Sequence, residues 1–162
     1  MADSQELMAI VERFAHESGI DADLAIAVAS VESSWNPNAV RFEPKWKYFH
    51  SDSASFAKNL GITLETEQAL QAISWGLLQV MGAVARELGY AGPIQLLSSP
   101  ELGAEYGCKK LAKCLERYPH EPDAIAAYNG GTPRSVDGQY VNQSYVDRVQ
   151  KRLDEIRNYN KS

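Results

Sequence analysis

From Ala22 the chain reads Ala-Asp-Leu-Ala-Ile-Ala-Val-Ala-Ser-Val, with almost no polar face after Asp23, until it meets Glu32 and then Ser33-Ser34-Trp35-Asn36-Pro37. Asp21 can cap the start, Ala and Leu favour a helix, and Leu24, Ile26, Val28 and Val31 fill its surface. A helix this apolar must be buried, so the rest of the chain has to be arranged to cover it. Trp35 and Pro37 end it. A carboxyl at the end of a buried helix is desolvated, which disfavours the anion and lets the group hold a proton near neutrality, as a general acid must. On position alone Glu32 also reads as a solvated residue at a helix C-terminus.

Two later stretches bear on that choice: Ser74-Trp75-Gly76-Leu77-Leu78-Gln79-Val80-Met81 and Ala126-Ala127-Tyr128-Asn129-Gly130-Gly131. Together with Glu32-Ser33-Ser34-Trp35-Asn36-Pro37-Asn38-Ala39 they resemble, in order, the motif triplet of the soluble lytic transglycosylases, peptidoglycan-cleaving relatives of goose-type lysozyme. Three motifs in order are far more specific than any one. The resemblance covers roughly residues 20 to 150. It implies a lysozyme-like helical domain with a substrate cleft, acting on peptidoglycan glycan strands by cleaving the MurNAc-GlcNAc β-1,4 bond and leaving 1,6-anhydro ends.

Cleaving a glycosidic bond needs an acid for the leaving oxygen and something that stabilises the oxocarbenium-like carbon, usually a second carboxylate. The family resembles the substrate-assisted exception, in which the 2-acetamido group helps and the muramic 6-hydroxyl attacks. Glu32 would then protonate the glycosidic oxygen and afterwards, as the carboxylate, take the proton from that hydroxyl. The resemblance also implies that Ser33 supports the loop after the acid, that Gly76 and Gln79 lie beside the cleft, and that Tyr128 and Asn129 present a phenol and an amide there. Gly76 would permit close approach of a ligand to the backbone. The plainer readings are a cap at Gly76, a surface amide at Gln79, and a core tyrosine at Tyr128 whose hydroxyl finds a backbone partner.

The family's serine in the short loop after the Pro has no clear counterpart, because an insertion at about 40–73 stands there, as in some phage-type relatives. A structureless loop of that length is improbable in a compact domain, so Phe42, Trp46, Tyr48 and Phe49 should pack or line a groove, with Glu43 and Trp46 near the glycan. Glu43 is the one nearby acid able to act as a second carboxylate, in the manner of a muramidase that admits water; a solvated loop residue is the alternative. A noncatalytic glycan-binding or phage-structural protein is the rival of another class, and the joint retention of Glu32, Gln79 and Tyr128 counts against it.

The expected fold is all-α, with at most a minor β hairpin: one lysozyme-like catalytic domain over 1–162. A chain of 162 residues can bury about two thirds of its unfolded surface and should fold alone. Helices are expected at Ser4 to Ser18, from Asp21, at Thr66 to Ile73, Gly76 to Leu88 and Pro93 to Leu97, from Ser99 to about Tyr118, from Pro122 to Gly130-Gly131, and from Asn142 to about Asn158. Tyr145, Val146, Val149, Leu153 and Ile156 form the inward stripe of the last. No convincing strand pair is visible, and Thr132 to Gly138 reads as a loop.

A net charge of −5 argues against nucleic acid, which normally demands a basic patch. No window approaches a membrane span, and Met1 to Glu6 has no basic n-region. Cys108 and Cys114 would lie about 240° apart around one helix, which makes them small buried hydrophobes rather than a disulfide or a zinc site. No metal or cofactor is expected. The reading is a monomer made in the cytoplasm without a signal peptide and delivered to the cell wall, as a phage endolysin or a tail- or secretion-associated enzyme would be.

Overall fold

A computed structural model describes residues 3–161; Met1, Ala2 and Ser162, and with them part of the N-terminal reading, lie outside the described residues. Helix α1 (Ser4–Glu17) starts from a capping box between Asp3 and Glu6, and α2 (Ala22–Ser33) starts with the Asp21 carboxylate accepting from the Asp23 amide. These two helices pack on each other, and α2 packs most extensively on the last helix, α8 (Gln143–Tyr159). Leu24, Ala25, Ala27, Val28 and Ala29 of α2 are buried, and one apolar core joins them to Leu7 and Val11 of α1 and to Tyr145, Val146, Val149 and Leu153 of α8. Ile156 is only half-buried against that core.

The long helix α6 (Pro100–Arg117) has Ser99 as its N-cap and Pro100 in its first turn, and it packs on α1 and on α7 (Glu121–Gly130). Its two cysteines are free; Cys108 is buried and Cys114 half-buried. No helix of the described residues is long and apolar enough to cross a membrane.

Two corrections concern β structure. The chain leaving α2 forms β1 (Val40–Phe42), which pairs antiparallel with β2 (Ile73–Trp75), and β2 pairs with β3 (Val80–Met81). The apolar run from Gly76, expected to be helical as far as Leu88, is therefore a tight connection between strands, followed by the short helix α5 (Gly82–Glu87). Gly76 (φ 72°) and Gln79 (φ 48°) are both left-handed, which no continuous helix allows, and Leu77 and Leu78 between them are buried within the turn. A short apolar run has no periodicity that separates a buried strand-and-turn from a buried helix. The second correction is a hairpin of β4 (Ser135–Val136) and β5 (Gln139–Tyr140), where the loop was expected. Asp137 (φ 52°) and Gly138 (φ 78°) give its two-residue turn, the preferred chemistry for such a hairpin. Pro93 to Leu97 is a 3₁₀ turn, Ile94–Ser98.

The insertion leaves the sheet at β1 and returns at β2. Between them run α3 (Ser53–Leu60) and α4 (Leu64–Gln71), the latter starting two residues before its expected Thr66 because Thr63 caps it. A wholly buried ion pair docks this unit onto α5: Arg86 Nε and Nη2 reach Glu67 Oε1 and Oε2 at 2.7 and 3.0 Å. Arg86 Nη1 also donates to the Tyr90 and Gly92 carbonyls, and Gln71 donates to Glu67 at 2.9 Å. Both charges are thus fully partnered, the condition under which burial of an ion pair is tolerated. Of the aromatics expected to pack or line a groove, Trp46 and Phe49 are half-buried, Tyr48 is 67% exposed but lines a cavity together with Trp46, and Phe42 is 60% exposed on the edge strand β1.

Candidate active site

Glu32 sits in the last turn of α2. Immediately beyond, Ser34 (φ 50°) and Trp35 (φ 65°) are both left-handed, an unusual conformation for non-glycine residues, and they turn the chain sharply away from the helix. That leaves the Glu32 side chain half-buried on the wall of a cavity of about 330 Å³. Tyr145 of α8 donates its hydroxyl to Glu32 Oε1 at 2.7 Å. Burial pushes the Glu32 carboxyl above its ordinary value of 4.5; the Tyr145 hydrogen bond and the positive charges of Lys110, Arg41 and Arg148 pull it down, and burial wins. Burial and Glu32 itself hold the Tyr145 phenol well above its usual range, so it remains a donor.

The other expected site residues divide into those the fold brings to this cavity and those it does not. Gln79, Tyr128, Asn129 and Glu43 line it beside Glu32. Gln79 spends its amide N–H groups on the carbonyls of Ala39 (2.9 Å) and Gly76 (3.0 Å), tying the β2–β3 turn to the chain that follows Glu32. The Tyr128 hydroxyl, 1% exposed as a residue, donates to the Leu78 carbonyl at 2.6 Å, so it has the backbone partner of a core tyrosine. Asn129 Oδ1 accepts from Asn142. Glu43 Oε1 is gripped by Arg41 Nη2 and Nε at 2.5 and 2.6 Å.

Ser33 and Gly76 do not line the cavity. Ser33 is buried with its hydroxyl donating back to the Ala29 carbonyl, which secures the helix end. Gly76 permits a close approach, but of the protein's own chain: a Cβ there would lie 2.4 Å from the Leu97 carbonyl oxygen.

The insertion supplies the far wall with Arg41, Glu43, Lys45, Trp46 and Tyr48. Trp46 meets Tyr48 edge-on, with ring centroids 5.6 Å apart, and the shielded Trp46 indole N–H has no hydrogen-bond partner among the described residues. Opposite, Lys110 of α6 places its ammonium 4.0 Å from the centre of the Tyr128 ring. Burial lowers the Lys110 pKa, opposed by the charge of Glu32.

Neither the Tyr145 bond to Glu32 nor the place of Lys110 in the cavity wall is legible in the sequence. Along the sequence Tyr145 is one member of an apolar stripe, and its contact with Glu32 joins residues 113 apart, which no local pattern encodes. Among the described residues no group of three or more His, Cys, Asp and Glu side chains converges as a metal site would require.

A mostly helical lysozyme-like domain, with a desolvated carboxyl at the end of its central helix and a cleft above it, is the class defined by this fold and site. The family model for the Transglycosylase SLT domain matches residues 9–149, and the chain belongs to that family. Comparison with curated proteins and with solved structures gave no match. The family's members are peptidoglycan lytic transglycosylases, so the coarse assignment is a glycan-cleaving activity on peptidoglycan.

Proposed function

We propose that the protein is a lytic transglycosylase that cleaves the MurNAc-GlcNAc β-1,4 bond with Glu32 as its single general acid and base. The observation that carries this reading is the asymmetry between the two carboxyls on the cavity. Glu32 is desolvated and held by a neutral phenol, whereas Glu43 is partly exposed and has one carboxyl oxygen occupied by the Arg41 guanidinium. Glu32 begins protonated and gives its proton to the glycosidic oxygen as the C1–O4 bond breaks. The substrate's acetamido oxygen stabilises the positive carbon. The Glu32 carboxylate then removes the proton of the muramic 6-hydroxyl as that oxygen bonds to C1, which closes the anhydro ring and returns the acid to its starting state.

Tyr145 keeps one carboxyl oxygen fixed and leaves the other to move the proton. Gln79 holds the β2–β3 turn against Ala39, and the Trp46 and Tyr48 rings offer apolar faces on which pyranose rings can rest. The supporting acid Glu43, with Arg41, sets the charge of the insertion wall. The protein is expected to act on the wall after release or delivery from the cytoplasm, a phage-encoded endolysin being one such route.

Mass spectrometry of peptidoglycan digested by the protein tests the reading. Products ending in 1,6-anhydro-MurNAc are expected. Reducing MurNAc ends would instead make it a muramidase, with Glu43 or another acid placing water, and intact strands would leave a glycan-binding protein.

A further inference from the structure

Lys110 of α6 lines the Glu32 cavity and is half-buried there, whereas the other cations lining it, Arg41 and Lys45, are exposed. Its ammonium rests on the face of the Tyr128 ring, 4.0 Å from the centre, and makes no ion pair or side-chain hydrogen bond among the described residues. The next residue along the helix shows the ordinary arrangement: Lys109 is paired with Glu105 at 2.5 Å. An ammonium withdrawn from water onto a ring face alone is costly, because the ring returns only part of the lost hydration. The position calls for an anion.

Glu32 supplies one in mid-reaction. When its O–H bond breaks and the proton passes to the glycosidic oxygen, a carboxylate is left in a desolvated site with the Tyr145 hydroxyl as its one hydrogen bond. Burial raises the Glu32 carboxyl, and of the three cations that oppose it Lys110 acts most strongly, ahead of Arg41 and Arg148. Arg41 is already engaged with Glu43, and Arg148 of α8 is exposed. Tyr128 of α7 adds no charge, since burial and the charge of Glu32 hold its phenol well above the ordinary range. The pull is mutual: burial lowers the Lys110 pKa, and the Glu32 charge raises it. Each charge is therefore steadiest when the other is present.

We propose that Lys110 is a positioning residue for glycosidic cleavage: its ammonium, held on the Tyr128 ring, steadies the carboxylate that Glu32 becomes between giving up its proton and taking one from the 6-hydroxyl. This rests on the reading of Glu32 as the single acid and base, and it supplies the counter-charge that a single-acid mechanism leaves open. Lys110 keeps its own protons throughout and needs no contact with the substrate. A charge fixed before the reaction acts without reorganising during it, and a half-buried one is little screened by salt. The role asks of Tyr128 a ring and not a hydroxyl, which is already bonded to the Leu78 carbonyl.

Lys110→Met keeps the aliphatic stem over Tyr128 and removes the charge. Carbon-13 titration of the Glu32 carboxyl should move to higher pH in this variant, because the cation that lowers its pKa is gone. On solubilised glycan strands the alkaline limb of the kcat/KM profile should move with it, and kcat should fall by about tenfold at unchanged KM, the scale of one charge interaction near the protein surface. Lys110→Gln should repeat these changes if the first variant folds poorly, and Lys110→Arg should restore the parent's limb and most of its kcat. A Glu32 titration that stays in place in both uncharged variants, or a loss confined to KM, overturns the proposal. Since the titration is read without substrate, the two readings fail separately. Anhydro ends with an unmoved titration remove Lys110 alone, whereas reducing ends with a moved titration and a lowered kcat keep Lys110 and remove the transglycosylase reading.

Discussion

Glu67 and Glu32 are both acids on helices drawn into the interior, yet their surroundings are opposite in kind. Glu67 is 0% exposed as a side chain and receives two bonds from Arg86 and one from Gln71, so its charge is answered on the spot and has no chemistry left to do. Glu32 receives one bond from a phenol, and the cations around it act only at a distance. Full partnering makes a buried acid a clamp between the insertion and α5, while partial partnering next to a cavity makes one a proton carrier. The same side chain thus becomes scaffold or candidate catalyst according to how many donors converge on it.

The largest expected effect tests the Glu32 half of the contrast. Glu32→Gln is nearly isosteric but cannot transfer a proton, and wall-clearing should fall by about 10²–10⁴-fold, the usual contribution of a general acid–base group. Its stability should move the other way. Because the folded carboxyl binds its proton more tightly than the unfolded one, the native state loses stability as pH rises from about 4.5 through the raised folded value. Glu32→Gln should therefore melt above the parent at neutral pH, with the gain vanishing below that range. A folded variant that clears walls at the parent rate would remove Glu32 from the mechanism.

Breaking the clamp should do the converse. Glu67→Gln leaves Arg86 charged in a dry site and is expected to cost about 3–5 kcal/mol in denaturant unfolding. Replacing both partners with apolar residues of similar size, Glu67→Leu with Arg86→Met, should recover much of that loss. If the single change proves harmless, the insertion is held by something other than this pair.

Tyr145→Phe sets the two acids further apart by stripping Glu32 of its one donor. A loss of about 1.5–3 kcal/mol in transition-state stabilisation is expected, the scale of a hydrogen bond to an ionisable group. Since that bond lowers the Glu32 pKa, its removal should move the alkaline limb of the pH–rate profile to higher pH. A profile that stays in place would reduce Tyr145 to packing.

The smallest effect is set for Tyr128→Phe, which tests whether proximity to Glu32 is enough for a role. Its hydroxyl answers the Leu78 carbonyl, so the variant should lose about 1–2 kcal/mol of stability with turnover per folded molecule little changed. A large fall in turnover at unchanged melting temperature would return the Tyr128 hydroxyl to the chemistry.

Much of the molecule was legible along the chain, because helices are specified by neighbours. The Asp21 cap, the Ser99-Pro100 start of α6 and the apolar stripe of α8 are patterns within a few residues, and each produced the helix it predicted. Asp137-Gly138 is an equally local signal, a hairpin turn within what the sequence otherwise presents as a loop. The β1–β2–β3 sheet was not local: β1 and β2 are three residues each and are separated by the insertion, so their pairing, flanked by the Gly76 amide on the Ala39 carbonyl and the Glu43 amide on the Ala72 carbonyl, joins partners that no short stretch of chain contains.

The candidate site divides along the same line. The sequence by itself determined that a single carboxyl would stand at the end of a buried helix, since apolar residues on every side of α2 compel its burial and the first acid after them inherits the desolvation. Only the tertiary structure decided which groups would meet that carboxyl. Tyr145 reaches it from 113 residues away, Lys110 comes from a different helix, and Tyr128, the phenol that the motif pointed to, turns its hydroxyl to a backbone carbonyl instead. Burial of a segment follows from its own composition, but the direction of a hydrogen bond follows from the packing angles of several helices at once, and no short stretch of chain encodes those.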